Sequence, residues 1–199
     1  MIGVQDAGGL RIITLQRPDK ANALTRAMLV DLDKAVAGAT GRALIITGAG
    51  RVFSAGADLE EMQAGLGVDP AWERLSARIA AFPGLTIAAL NGTLAGGAMG
   101  MALACDLRVA VPGAWFFYPV MRLGFLPQPS DPRRLVALVG PARARMILMA
   151  GCRIGVDEAL AWGLVDRVAD DVLGVATGLC ADVLTAEAGH VAAIKRLIG

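Results

Sequence analysis

The spacing of apolar positions in the first third of the chain predicts a strand, a turn, a helix and a second strand. Residues 10–15 mix Leu and Ile with Arg and Thr, as a half-buried strand does, and residues 17–19 form a turn around a proline. Residues 24–36 carry apolar side chains at helical spacing, and residues 43–47 form an almost continuous apolar run. Such a run is typical of a strand that is buried on both faces.

The same order of elements recurs along the rest of the chain. The pattern predicts helices at 72–82, 97–105 and 134–149, strands at 86–90, 107–111, 115–118 and 164–168, and a helical stretch from Val172 onward. Because helices alternate with short apolar strands, we predict an α/β fold in repeated strand-helix units. No linker interrupts the pattern, so the prediction is one domain over residues 1–199.

Composition and charge narrow the classes of partner. The 199 residues are 55% apolar and 19% charged, and 19 basic against 18 acidic side chains leave a net charge of +1. A chain with this balance is not expected to be disordered. Nor is it expected to bind nucleic acid or an anionic membrane surface through its charge.

The cysteines and the histidine indicate neither a disulfide framework nor a metal site. Cys105, Cys152 and Cys180 are odd in number and far apart, and His190 is the single histidine, so no metal is expected. Unpaired cysteines favour a reducing compartment. The first six residues lack a basic region followed by an apolar stretch, so we expect no secretory signal and a cytoplasmic location.

One uncharged stretch, residues 79–105, is long enough to be tested against a membrane span. The pairs Pro83-Gly84 and Asn91-Gly92 are turn signals that divide this stretch into short pieces. Residues 85–90 between them have the length of a buried strand. We therefore expect no membrane segment here.

The segment after the strand at 43–47 contains a predicted helix start with small residues in front of it. Asp58 and Glu61 have the spacing of a capping box, which places the start of a helix at Asp58. The small residues Gly56 and Ala57 leave backbone N–H groups uncovered at this helix start, where an anion can bind. By itself the pattern is also that of an ordinary capped helix.

A second corner of the same kind follows the strand at 86–90. Gly96 and Gly97 precede an apolar helix, so bare amides are again expected at a helix start. Two such corners can direct their N–H groups at one carbonyl oxygen and form an oxyanion hole. Close packing of a strand against a helix explains the glycine pair equally well.

Four motifs in order resemble the crotonase, or enoyl-CoA hydratase/isomerase, superfamily. They are RPDKANAL at 17–24, FSAGADLEEM at 53–62, NGTLAGGAMGMALACDLR at 91–108 and ALAWGLV at 159–165. The resemblance extends from about residue 10 to 170. It implies a superhelix of repeated strand-strand-helix units and an acyl-CoA thioester substrate. Coenzyme A is then part of the substrate, and no separate cofactor is implied.

The resemblance also implies roles for individual residues. Ala57 and Gly97 would donate their backbone N–H groups to the thioester oxygen. The residues that would contact the substrate are Lys20, Ala21, Ala23, Ala55, Asp58, Leu59, Gly96 and Val120. Lys20 would meet a phosphate of coenzyme A, although a solvated surface lysine is an equal alternative. Glu60 stands where many relatives have a lysine, which would weaken this binding.

Two departures bear on the reaction. Hydratases of the family use two glutamates, and the matching positions here are Gly100 and Val120, neither of which can carry a proton. Asp131 is a candidate base and Tyr118 a candidate hydrogen-bond donor, but a turn or capping residue and a strand-edge aromatic are the plainer alternatives. Isomerase- or decarboxylase-type chemistry is thus favoured over hydration. The alternative is a non-catalytic acyl-CoA carrier or sensor.

The last departure concerns the C-terminal end. Residues 188–198 resemble the helix that ends the family's core, and the resemblance implies that the further C-terminal helices are missing. In relatives those helices cover the acyl site and help to build trimers. The acyl site is then either exposed or covered by a neighbouring subunit, and a homotrimer or a dimer of trimers is the candidate assembly for the second case.

Overall fold

The computed structural model describes residues 1–198, which form two sheets surrounded by helices. The strands are β1 (Ile2–Ala7), β2 (Leu10–Leu15), β3 (Ala43–Gly48), β4 (Val52–Ser54), β5 (Leu85–Leu90), β6 (Thr93–Ala95), β7 (Leu107–Ala110), β8 (Trp115–Phe117), β9 (Ile154–Gly155) and β10 (Arg167–Val168). The helices are α1 (Arg26–Ala37), α2 (Leu59–Gln63), α3 (Ala71–Ala80), α4 (Met99–Ala104), α5 (Val120–Leu123), α6 (Asp131–Val139), α7 (Pro141–Leu148), α8 (Val156–Trp162), α9 (Val172–Leu179), α10 (Ala181–Thr185) and α11 (Ala188–Ile198).

Three successive turns of the chain place a long strand in one sheet and a short strand in the other. The six-stranded sheet has the order β1-β2-β3-β5-β7-β10, and the four-stranded sheet has the order β4-β6-β8-β9. All pairings are parallel except β1 with β2 and β8 with β9. Each turn then continues into a helix. The predicted α/β fold of strand-strand-helix units is confirmed.

The six-stranded sheet is buried on both faces. Along β3, Leu44 and Ile46 face the main core with α1, α3 and α4, whereas Ala43 and Ile45 face a smaller core. Helix α9 covers that smaller core with Val172, Ala176 and Cys180. Burial on both faces explains why the strand is a continuous apolar run in the sequence.

The predicted single helix at 134–149 is wrong, because the chain breaks it in two. Gly140 has a φ of +80°, a conformation that glycine tolerates, and Pro141 begins α7. A proline lacks an N–H and is accommodated at the first position of a helix but not in its interior. The segment therefore forms α6, α7 and a sharp corner between them.

The other differences lie at the chain ends. The helical stretch predicted from Val172 is three helices, α9 to α11, and the strand predicted at 164–168 shortens to Arg167–Val168. Strand β1 was not predicted because its residues are mostly polar or exposed. It pairs with β2 through a turn at Gly8 and Gly9, both with positive φ, and this glycine pair was the available signal for a hairpin.

The uncharged stretch at 79–105 contributes the end of α3, then β5, β6 and α4. Over residues 1–198, none of the helices combines the length and the apolar character needed to cross a membrane.

Candidate active site

The first small-residue corner lies between β4 and α2. Gly56 has a φ of +94°, and Asp58 caps α2 by accepting hydrogen bonds from the N–H groups of Glu60 (3.1 Å) and Glu61 (3.4 Å). The helix start predicted at Asp58 is confirmed. The capping box does not close, because the Glu61 carboxylate accepts from the Arg26 N–H at 2.6 Å instead.

The N–H of Ala57 is free at this corner. The Leu24 N–H donates to the Gly56 carbonyl (2.7 Å), and the Asp58 N–H donates to the Leu24 carbonyl (2.9 Å). In this parallel bridge, Ala57 lies opposite Leu24 and directs its own N–H to the other side. No acceptor for that N–H is found among the residues that the structure describes.

The second corner follows β6. Gly96 has a φ of +57°, and residues Gly96–Ala98 form a short 3-10 turn that leads into α4. The first N–H groups of a helical segment have no partner within it. Within residues 1–198, the N–H of Gly97 likewise meets no acceptor.

The two corners touch each other. A Cβ atom on Gly56 would lie 2.9 Å from the carbonyl oxygen of Ala95 and 3.2 Å from the Cα of Gly96. These distances exclude a side chain at Gly56 unless the backbone moves. The contact holds Ala57 and Gly97 beside one cavity of about 110 Å³, which both residues line.

The cavity gathers six of the predicted site residues. Ala55, Ala57, Leu59, Gly96, Gly97 and Val120 line it, together with Tyr118. The remaining lining residues were not predicted, and they are mainly aromatic or apolar: Met62, Gly67, Trp72, Ala95, Phe117, Pro119, Leu123, Phe125, Leu126 and Gln128. Trp72 is fixed by its indole N–H, which donates to the Leu66 carbonyl at 2.8 Å.

Four other predicted residues lie on the loop and helix start next to the cavity. Asp58 is bound to Arg17 at 2.7 Å, and this hydrogen bond lowers the pKa of Asp58. Ala21 adopts a left-handed φ of +50°, and the Ala23 carbonyl accepts a hydrogen bond from Arg17. Lys20 is exposed at the end of a short 3-10 turn. None of these four lines the cavity within residues 1–198.

Asn22 organises that loop, a role that the sequence did not predict. Its side chain is fully buried and donates to the carbonyls of Ala49 (2.9 Å) and Val52 (2.8 Å), while its Oδ1 accepts from the Arg17 N–H (2.9 Å). Asn22 itself has a φ of +52°. An asparagine between two alanines, followed by an apolar helix, was the available signal, since asparagine tolerates this conformation.

Asp131 is buried against α4. It is the first residue of α6 and is only 1% exposed. Its side chain therefore neither caps the helix nor faces solvent. The Tyr118 hydroxyl donates to Asp131 Oδ2 at 2.9 Å, and Oδ1 has no partner among the described residues. The turn and capping interpretation of Asp131 is wrong, because its loop folds inward.

Gly100 makes the space for this carboxylate. A Cβ atom on Gly100 would lie 2.9 Å from Asp131 Oδ1 and 3.1 Å from Oδ2. A side chain at position 100 and a carboxylate at 131 in this conformation therefore exclude each other. The missing side chain on α4 and the buried acid on α6 are one structural feature.

Burial raises the pKa of Asp131 to about 6, and the nearby Glu73 adds to this effect, while Tyr118 and Arg134 oppose it. Burial also raises the pKa of Tyr118, and Asp131 raises it further. The Tyr118 hydroxyl oxygen accepts from the Gln128 N–H at 3.4 Å. A carboxyl group with a pKa near 6 exchanges protons readily at neutral pH.

In the described part of the chain, no group of three or more His, Cys, Asp or Glu side chains is placed to hold a metal ion. Among the described residues that line the cavity, the polar groups are backbone N–H groups and the side chains of Tyr118 and Gln128.

Comparison with known proteins decides the family. The enoyl-CoA hydratase/isomerase family model matches residues 5–198. The chain belongs to this family. The predicted crotonase resemblance is thereby confirmed.

Two relatives in this family illustrate its range of reactions. A "Probable enoyl-CoA hydratase" of Mycobacterium leprae is 35% identical over 175 residues, which are 84% of this chain and 71% of that protein. A 4-chlorobenzoyl coenzyme A dehalogenase of Arthrobacter sp. is 36% identical over 184 residues, which are 84% of this chain and 65% of that protein. Family members are thus enzymes of different reaction types.

Two solved structures of the crotonase fold are also similar. DspI of Pseudomonas aeruginosa is 31% identical with a TM-score of 0.91, and the match covers 99% of this chain and 79% of that one. Enoyl-CoA hydratase of Bacillus anthracis is 31% identical with a TM-score of 0.90, covering 99% and 81%. The arrangement of both sheets and the helices is therefore that of the crotonase family.

Proposed function

We propose that this crotonase binds an acyl-CoA thioester and stabilises its enolate with the backbone N–H groups of Ala57 and Gly97. The observation that carries the proposal is the contact between the two corners, where both N–H groups lie beside one cavity and have no acceptor within residues 1–198. Negative charge develops on the thioester oxygen when an enolate forms. Each preorganised donor at that oxygen is worth roughly a factor of 10² to 10³ in rate.

The reaction that this arrangement favours is isomerisation or decarboxylation. Hydration needs one group to activate water and another to protonate the α-carbon, and Gly100 and Val120 stand where the family resemblance places those glutamates. Decarboxylation of a malonyl-type thioester generates the enolate by loss of carbon dioxide. Isomerisation needs one base, for which Asp131 is the candidate.

Coenzyme A would lie along residues 20–23 and 55–59. Lys20 is exposed and accessible to a phosphate group, whereas the exposed Glu60 on α2 would repel one. Leu59 is 79% exposed, so its side chain is accessible to the bound nucleotide or pantetheine. The nucleotide is then held mainly by backbone and apolar contacts.

A non-catalytic acyl-CoA carrier or sensor is the second candidate. Its support is that the described residues lining the cavity include no Asp, Glu or His side chain. A protein that only binds the thioester needs the cavity and the two N–H groups but no proton carrier.

The test is to incubate the purified protein with crotonyl-CoA and with methylmalonyl-CoA and to follow both by mass, while calorimetry measures the affinity for butyryl-CoA. Loss of 44 mass units from methylmalonyl-CoA, or conversion of crotonyl-CoA to an isomer of equal mass that chromatography separates before the mass measurement, supports the enzyme. Binding without turnover supports the carrier. Hydration of crotonyl-CoA at a rate typical of the family contradicts the proposed reaction type, and absence of binding contradicts both candidates.

A further inference from the structure

Asp131 cannot act on a bound acyl group directly, because it does not line the cavity in the described part of the chain. Tyr118 and Gln128 do line it. The Tyr118 hydroxyl lies between Gln128 and Asp131, since it accepts a hydrogen bond from the Gln128 N–H and donates one to Asp131 Oδ2. Tyr118 is thus the cavity-lining residue whose side chain contacts the buried carboxylate.

We infer that Tyr118 is the group that exchanges a proton with the acyl substrate. Asp131, packed against Gly100, positions Tyr118 and exchanges a proton with it. This inference rests on the proposed function. It assigns the catalytic contact to a residue of the β8–α5 segment, and it makes Asp131 a positioning residue.

The proton transfer balances in both directions. To form the enolate, the α C–H bond breaks, its proton goes to the Tyr118 oxygen, and the Tyr118 proton moves to Asp131 Oδ2. The electron pair of the C–H bond stays on the thioester, where Ala57 and Gly97 stabilise it. To quench an enolate after decarboxylation, neutral Asp131 returns its proton to Tyr118 while Tyr118 protonates the carbon.

The surroundings of Asp131 suit both directions. Glu73 on α3 accepts hydrogen bonds from Ser130, the residue before Asp131, and Arg134 on α6 is the positive group facing it. Tyr118 faces it from the β8–α5 segment, and α4 presents only Gly100, which carries no charge. The charges of Glu73 and Arg134 therefore act on the pKa of Asp131 in opposite directions, and burial shields the carboxyl group from solvent.

Tyr118 alone is rarely ionised, because burial raises its pKa. A tyrosinate would therefore be scarce at neutral pH. Coupling to the carboxyl group allows the hydroxyl to take up one proton while giving up another. In the described part of the chain, the cavity lining has no acidic side chain and Asp131 Oδ1 has no hydrogen-bond partner, which is consistent with this coupling.

The first test observes the pair without any substrate. Tyr118 is the single tyrosine of the chain, so protein labelled with ring-carbon-13 tyrosine gives one tyrosine signal in an NMR spectrum. We expect this signal to shift with an inflection near pH 6, and we expect Asp131→Asn to abolish the inflection. A signal that does not change between about pH 4.5 and pH 8 would overturn the inference.

The second test measures proton transfer to carbon. Butyryl-CoA in D₂O should exchange its α-hydrogens, and mass spectrometry follows the uptake of deuterium. Tyr118→Phe keeps the ring and removes the hydroxyl, and general acid-base catalysis is worth roughly 10² to 10⁴ in rate, so at least a hundredfold loss is expected. Asp131→Asn should also remove the pH dependence of exchange, which a purely structural role would leave in place.

Calorimetry with butyryl-CoA distinguishes failure of this inference from failure of the proposed function. If Tyr118→Phe binds butyryl-CoA and exchanges at the wild-type rate, the inference is wrong while the proposed function stands. If the wild-type protein does not bind butyryl-CoA at all, the proposed function fails. The tyrosine titration then still decides whether the pair exists.

Discussion

The two polar features at the cavity, the pair of backbone N–H groups and the Tyr118–Asp131 pair, are built in different ways. The donors at Ala57 and Gly97 belong to the backbone and are placed by a contact between two glycine corners. Tyr118 and Asp131 are side chains, and their pairing depends on the residue at each position and on the space left by Gly100. Backbone donors survive most substitutions of their own side chains, whereas a side-chain pair is lost with one residue.

This difference teaches where variation is tolerated. A family that keeps the corners keeps the means to stabilise an oxyanion, whatever acid or base stands near it. An acid can then come from another helix, and in this chain the candidate is Asp131 of α6, which is buried against α4. The two parts are therefore separable, and substitutions can test each of them alone.

The largest effect is expected from Gly56→Ala, which disrupts the contact that places the backbone N–H groups of Ala57 and Gly97. The new methyl group would lie 2.9 Å from the Ala95 carbonyl oxygen, and the φ of +94° adds strain. Displacement of the Ala57 N–H should lower the α-hydrogen exchange rate of butyryl-CoA at least about a hundredfold. Gly151→Ala is the control, since Gly151 also has a positive φ of +68° but open space around it. Equal losses in both variants would refute a specific effect of the corner.

The second prediction concerns the pH dependence of stability and tests the side-chain part. The pKa of Asp131 rises from 3.8 to about 6 on folding because the group is buried. The folded state then binds the proton more tightly, so this stabilising contribution is complete below about pH 4 and is lost as the pH rises through 6. The loss is about 3 kcal/mol in the free energy of unfolding.

The Asp131→Asn variant should lack this pH-dependent contribution to the free energy of unfolding. The free energy of unfolding of the variant relative to wild type should therefore increase by about 3 kcal/mol between pH 4 and pH 7, measured by urea denaturation. Glu158→Gln on α8 removes an exposed carboxylate instead and should keep the wild-type pH dependence. A constant difference between Asp131→Asn and wild type would show that Asp131 is not the titrating group.

The third prediction sharpens the link between Gly100 and Asp131. Gly100→Ala places a methyl group 2.9 Å from Asp131 Oδ1 in a packed helix interface, so we expect a loss of about 1 to 3 kcal/mol in stability. Gly178→Ala is the matched control in α9, where no atom lies within 4 Å of the new Cβ. There the better helix propensity of alanine should stabilise the protein by up to about 1 kcal/mol. A stabilising Gly100→Ala would mean that the carboxylate is free to move away.

The smallest effect is expected where coenzyme A is proposed to bind, because Lys20 and Glu60 are both exposed there. Glu60→Lys should tighten butyryl-CoA binding by about two- to fivefold at low salt, because exposed charge pairs are weak and screened. Calorimetry at two salt concentrations measures this gain, which should disappear at the higher one. Glu158→Lys makes the same change of net charge on α8 and should not alter the affinity. Unchanged or weaker binding by Glu60→Lys would place the phosphates elsewhere.

The sequence by itself determined the elements and the family. The apolar run at 43–47 predicts a buried strand and Asp58 predicts a helix start, and both are present in the fold. Four motifs in order were sufficient to identify the crotonase family. Ala57 and Gly97 could be named as candidate donors because small residues at a helix start have a local signature and match the family's motifs. Local signals of this kind survive folding because they depend on residues close together in the chain.

Only the tertiary structure decided which of these residues meet. Gly56 and Gly96 are far apart in the sequence but pack backbone to backbone, and no local pattern specifies that distance. Asp131 had the signature of a turn or a cap, and its burial against Gly100 depends on α6 packing across α4. The pairing of Tyr118 with Asp131 depends on the same long-range contacts, and the desolvation that raises the pKa of Asp131 comes from them as well. A one-dimensional pattern contains neither.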